Sequence, residues 1–141
     1  MYTTAIKSQD EALTHLFFHC CLKDEMLTDA ELETVSGKLV AAGLNKTLNF
    51  KEEMVKYRAY SHQLTDEPAY LQFLVEQINP VNELALYSYC AELVLSDQTL
   101  SAVEETLLIN IAAALGISRE EEDVVKRLMV QRRVVEADKL F

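Results

Sequence analysis

Glycine and proline are scarce, three and two in 141 residues, which leaves too little turn punctuation for an all-β chain. Basic residues are also in short supply, 13 Lys and Arg against 23 Asp and Glu, for a net charge of −10. That balance argues against nucleic-acid binding, because phosphate contacts need a positive face. It suits a protein that meets cations or basic partner surfaces. No apolar run approaches the roughly 18 residues of a membrane span, and the start, MYTTAIKSQD, has no signal-peptide core. The three cysteines, two of them adjacent (Cys20, Cys21), make a poor disulfide framework and fit a reducing cytoplasm.

What is present is helical punctuation. Half of the residues are hydrophobic, enough to bury a core in one domain of this length. Ser8 and Glu11 form a capping box for a helix running to about Lys23, with Leu13, Leu16, Phe17 and Cys20 on its apolar face. Thr28 and Glu31 open a second helix, which Gly43 ends. Asn49 with Glu52 starts a third, through about His62, with Phe50, Met54 and Tyr57 inward. Thr65 or Asp66 opens a fourth, with Pro68 in its first turn and a stripe of Leu71, Leu74, Val75 and Ile78. Asn79–Pro80 reads as an N-cap followed by proline at the first helical position. The helix expected from there, about 80–95, is apolar on most sides and should be buried all round. Ser101–Glu104 opens a sixth helix that stops at Gly116. Ser118–Glu121 opens a seventh, to about Asp138, with Val124, Val125, Leu128 and Val135 as its apolar positions.

The stretch Asp97–Ile117 repeats the skeleton of Asp24–Leu44 at an offset of 73. Asp24 pairs with Asp97, Leu27 with Leu100, Thr28 with Ser101, Glu31 with Glu104 and Gly43 with Gly116. Ala12 and Leu13 match Ala85 and Leu86 in the same register. The expected fold is therefore all-α: a single compact seven-helix domain over residues 1–141. Two pseudo-symmetric three-helix repeats, about 8–63 and about 80–138, are joined by a crossover helix. The first helix of each repeat should meet its counterpart at the centre.

Charge follows the repeat. Residues 10–33 hold seven acids against Lys23, and residues 88–125 hold eight against Arg119. The third helices bring Lys51, Lys56 and Arg58 in one repeat and Lys126, Arg127, Arg132, Arg133 and Lys139 in the other. A bipolar surface follows, acidic at two loop corners and basic along the third helices.

The unit Asp-x-x-Leu-(Ser/Thr)-x-x-Glu, present twice, has two readings. Ser/Thr at the N-cap and Glu three residues on satisfy orphan backbone N–H groups, typically worth about 1 kcal/mol. Alternatively, Asp24, Glu31, Asp97 and Glu104 are oxygen ligands for a hard divalent cation such as calcium. The loops lack the twelve positions and central glycine of an EF-hand. A second candidate is Glu11, His15 and His19, whose spacing on one helix could aim two imidazoles at zinc, with Cys20, Cys21 and Cys90 nearby. Against it, cysteines on apolar faces act as small hydrophobes. Catalytic signals are thin: no nucleophile elbow surrounds Ser36, Ser61 or Ser88, and Gly37, Gly43 and Gly116 make no phosphate loop. Tyr57, Tyr60, Tyr70, Tyr87 and Tyr89 recur at helical spacing, as core residues do.

The pattern Asp97, Leu100, Ser101, Glu104 and Leu107–Gly116, echoed by Asp24, Leu27, Thr28, Glu31 and Gly43, resembles the TerB-like domain of tellurite-resistance proteins. The likeness spans nearly the whole chain, that family being a seven-helix fold with an internal duplication. Where its members carry Gly after the loop Asp, this chain has Glu25 and Gln98. The resemblance implies a cytoplasmic, non-enzymatic interaction module of the stress response, working with protein partners in complexes near the inner membrane. It makes Asp24, Glu31, Asp97 and Glu104 candidate metal ligands and gives no catalytic residue. A dedicated metal-ion binder is the alternative, and a small enzyme, which needs a deep pocket of shifted titratable groups, the third reading. A divalent cation is the one cofactor these residues invite. A homodimer follows if Phe18, Phe73 or Val130 is exposed.

Overall fold

Helices begin where short polar side chains stand ready to accept backbone N–H groups. The computed structural model describes residues 2–22, 49–94 and 102–127, and within them helix is the regular structure throughout. Tyr2–Ala5 forms a single turn, α1, that was not expected from the sequence. Ser8 Oγ then accepts from the Glu11 N–H at 3.2 Å and starts α2, Gln9–Leu22. Asn49 accepts from Lys51 and Glu52 to start α3, Phe50–Ser61. Asp66 accepts from Ala69 to start α4, Glu67–Ile78, with proline in its first turn. Helix α5 covers Glu83–Val94 and α6 covers Ala102–Leu115. Residues 119–127 form α7, opened by a reciprocal box in which Ser118 Oγ accepts from Glu121 N–H and Glu121 Oε1 accepts from Ser118 N–H, both at 3.2 Å. The second helix expected in the first repeat, with Thr28, Glu31 and Gly43, lies outside the described residues.

Two helix ends carry left-handed residues. Gly116 (φ 72°) closes α6. Its N–H donates to Ala113 and that of Ile117 to Ala112, the paired bonds of a Schellman turn. Asn79 (φ 47°, ψ 61°) closes α4, its N–H donating to the Val75 carbonyl. This corrects the reading of Asn79–Pro80 as the start of a helix. Asn79 ends one helix, and Asn82 caps the next, its side chain accepting from Ala85 N–H at 3.0 Å.

One core runs through the described helices, which gives the all-α single-domain class. Helix α2 is at its centre, packing on α3, α4 and α5, while α6 packs on both α4 and α5. Every residue from Ala12 to Cys20 is buried, so α2 has no solvent face over that span. The expected contact between α2 and α5 is present. Helix α5 itself is less enclosed than its composition suggests: Leu86, Tyr87, Cys90, Ala91, Leu93 and Val94 are buried, but Leu84 and Tyr89 reach solvent. Val124 is likewise exposed, whereas Val125 enters the core. Phe18 is fully buried and Phe73 packs against the core, so neither offers the dimer contact considered from the sequence. Val130 lies outside the described residues. No helix among those described is long and apolar enough to cross a membrane.

Candidate functional site

Helix α3 presents an unusual stripe to the interior. Its buried positions are Glu53, Tyr57 and Tyr60, the i, i+4, i+7 spacing of a core face carrying an acid and two phenols. Facing them from α2 are His15 and His19, also buried. Burying so many polar groups is tolerable only if they bond to one another. Here they do.

Two relays run side by side across this interface. In the first, Tyr60 Oη lies 2.6 Å from His15 Nδ1, and His15 Nε2 faces Glu53 Oε1 at 3.6 Å. Tyr70 of α4 adds its hydroxyl to that of Tyr60 at 2.5 Å. In the second, Tyr57 Oη lies 2.8 Å from His19 Nδ1, and His19 Nε2 lies 3.0 Å from Glu67 Oε2. Asn110 of α6 donates to the other Glu67 oxygen at 2.9 Å, so this relay ties four helices together. A carboxylate can only accept, so the 3.0 Å contact with Glu67 puts a His19 proton on Nε2 and leaves Nδ1 to accept from the Tyr57 hydroxyl. His15 Nε2 has only the 3.6 Å approach to Glu53, and its hydrogen bond is the one at Nδ1 with Tyr60.

Glu53 closes the surface side of the first relay. Its second oxygen pairs with Lys56 Nζ at 3.2 Å, and Lys56 also reaches Glu11 at 3.7 Å. Lys56, a base of the expected positive face, is thus partly committed to acids of its own and the neighbouring helix. Burial lowers the His15 pKa from 6.5 to about 4, against the pull of the Glu11 charge. Burial raises that of Glu53, with the Lys56 ammonium opposing it. Burial also raises Tyr60 and Tyr70, which stay protonated phenols.

The zinc arrangement imagined for Glu11, His15 and His19 is not what the helix builds. Both Nδ1 atoms are taken by tyrosine hydroxyls and His19 Nε2 by Glu67. Among the described residues no group of three or more His, Cys, Asp or Glu is placed to hold a metal ion. Cys20 and Cys90 are buried in the core and are not joined in a disulfide, as their apolar neighbours suggest. Of the four acidic corner residues, Asp24, Glu31 and Asp97 lie outside the described residues. Glu104 stands in the first turn of α6, where a carboxylate meets the helix N-terminus.

A groove of about 430 Å³ lies between α6 and α7, with Ile109, Ala113 and Ile117 as apolar lining and Glu105, Asp123 and Lys126 among its polar residues. The groups with displaced pKa values lie elsewhere, on α2 to α5. Sequence reasoning had His15 and His19 in hand but missed Glu53, Glu67 and Asn110. The available signal was Glu53 itself, a charged residue at a stripe position between inward residues of α3. No family model, curated protein or solved structure matches the chain.

Proposed function

We propose that this chain is a non-enzymatic interaction module of the stress response, resembling TerB-like proteins. It works in the cytoplasm, with protein partners at the inner-membrane surface, through its two acidic loop–helix corners. The observation that supports the reading is that most of the buried polar side chains of α2, α3 and α4 bond to one another. The histidines and tyrosines that could have formed a reaction centre bond across α2, α3 and α4. Recognition then falls to the surface, where an acidic chain offers carboxylates to a cation or a basic partner. Glu104, the one corner residue among those described, lies in the first turn of α6.

The test is calorimetric titration of calcium, zinc and manganese into chelator-stripped protein, with a basic peptide titrated in parallel. The comparison is the variant Asp24→Asn/Glu31→Gln/Asp97→Asn/Glu104→Gln. Saturable binding in the wild type that the fourfold variant loses, with helicity unchanged, supports the corners as the functional surface. Binding that survives in the variant removes them from the account.

A further inference from the structure

We propose that Tyr57 and Tyr60 are sites of one-electron oxidation, each phenol passing its proton to the histidine it bonds as its electron leaves to a diffusing radical or metal-centred oxidant. The inference rests on the buried relays and not on the acidic corners.

A phenol that loses an electron becomes a strong acid, so oxidation is easy only where a base already holds the proton's destination. Burial keeps both phenols from bulk solvent. Tyr60 and Tyr57 are 4% and 3% exposed, and each has an imidazole Nδ1 within 2.8 Å. The base must be neutral beforehand. Burial keeps His15 so at neutral pH, and the His19 Nε2 side is occupied by Glu67, which leaves Nδ1 to face the Tyr57 hydroxyl. The imidazolium that forms must also be stabilised. Behind His15 stands Glu53 and behind His19 stands Glu67, at 3.6 and 3.0 Å. Among the described residues His15 Nε2 and Glu53 Oε1 have no hydrogen-bond partner. Proton arrival at Nδ1 turns that idle pair into a charge pair, which gives the gap a use.

The electron has a path. Tyr2, half-buried, packs its ring 4.9 Å from Tyr70 and 6.0 Å from Tyr60. Tyr60 lies 5.7 Å from Tyr70 and 5.5 Å from Tyr57. These are ring-to-ring steps from the molecular surface to both relays. The balance for one event is simple. The Tyr60 O–H bond breaks and a His15 Nδ1–H bond forms. One electron passes to the oxidant, leaving a neutral tyrosyl radical beside an imidazolium.

The experiment generates tris(bipyridine)ruthenium(III) by flash and quench in a solution of the whole protein at neutral pH. Tyrosyl radical is followed by transient absorbance and paramagnetic resonance. With an internal acceptor, the wild-type rate of radical formation is indifferent to the concentration of buffer base. The Tyr57→Phe/Tyr60→Phe variant loses most of the radical yield, whereas Tyr89→Phe, at an exposed position, retains it. In a Tyr57→Phe background, His15→Gln slows radical formation by about a hundredfold, the lower end of what a positioned general base contributes. A wild-type rate that climbs with buffer base overturns the proposal, as does full yield from the double variant. Should the double variant lose its helical circular dichroism, the buffer dependence of the wild type decides.

Discussion

His15 Nε2 faces Glu53 Oε1 across 3.6 Å, and among the described residues neither atom has a hydrogen-bond partner. The two groups titrate with opposite consequences for stability. His15 has its pKa lowered from 6.5 to about 4, so the unfolded chain binds a proton that the folded chain refuses. Its contribution is complete above 6.5 and is lost as pH falls toward 4, a difference of about 3 kcal/mol by linkage. Glu53, raised from 4.5, behaves in reverse: the folded chain takes its proton first, and stability is gained as pH falls through the raised value. Urea midpoints measured from pH 7 to 4 should therefore decline in the wild type. The decline should steepen in Glu53→Gln, which lacks the compensating gain, and flatten in His15→Gln.

Tyr60→Phe tests the first relay as structure. The ring stays and only the hydroxyl leaves, so His15 Nδ1 loses its 2.6 Å partner and Tyr70 its 2.5 Å partner. An orphaned buried polar group costs about 1–3 kcal/mol, and two are created here. Tyr57→Phe takes the hydroxyl from His19 Nδ1, and His19 keeps Glu67. Tyr60→Phe should be the more destabilising in urea unfolding. Equal losses would mean that the Tyr60–Tyr70 contact contributes nothing.

Gly116 and Asn79 allow backbone conformation to be tested apart from packing. A Cβ placed on Gly116 meets nothing within 4 Å, so Gly116→Ala carries only the cost of a left-handed residue, about 1–2 kcal/mol. At Asn79 the same conformation is held by a residue that tolerates it, so Asn79→Gly should change the melting temperature little. Asn79→Val should lower it, because a β-branched side chain is a poor fit at positive φ.

Much of this architecture was legible in single residues. Ser8, Asn49 and Ser118 cap the helices they were expected to cap, and of Thr65 and Asp66 it is Asp66 that caps α4, because capping is a contact between neighbours in the chain. Asn79 was misread for a physical reason. Asparagine suits a helix start and a left-handed stop alike, and the proline after it favours the first reading, but Asn82 supplied a better cap three residues on. The buried relays were half-legible. Spacing put His15 beside His19 and Tyr57 beside Tyr60, but their pairing depends on α2 packing against α3, and Glu67 and Asn110 arrive from α4 and α6. No local pattern encodes such partners.

Glu67 provides the sharpest check on the direction of the second relay. Its two oxygens accept from His19 Nε2 and Asn110 Nδ2, and both bonds join separate helices. Replacing it with glutamine keeps the shape but makes one end a donor. If Oε1 keeps accepting from Asn110, the new amide nitrogen faces His19 Nε2, which must then accept. The imidazole proton moves to Nδ1, and the Tyr57 hydroxyl turns from donor to acceptor. The relay thus reverses without losing a bond, and Glu67→Gln should cost under about 1 kcal/mol. Glu67→Ala leaves both His19 and Asn110 without that partner and should cost more, about 2 kcal/mol or above. Nitrogen-15 shifts of His19 decide the matter: protonated Nε2 in the wild type and protonated Nδ1 in Glu67→Gln. A wild-type His19 already protonated on Nδ1 would mean that Tyr57 accepts rather than donates, and the proton path from phenol to imidazole would be closed at that site.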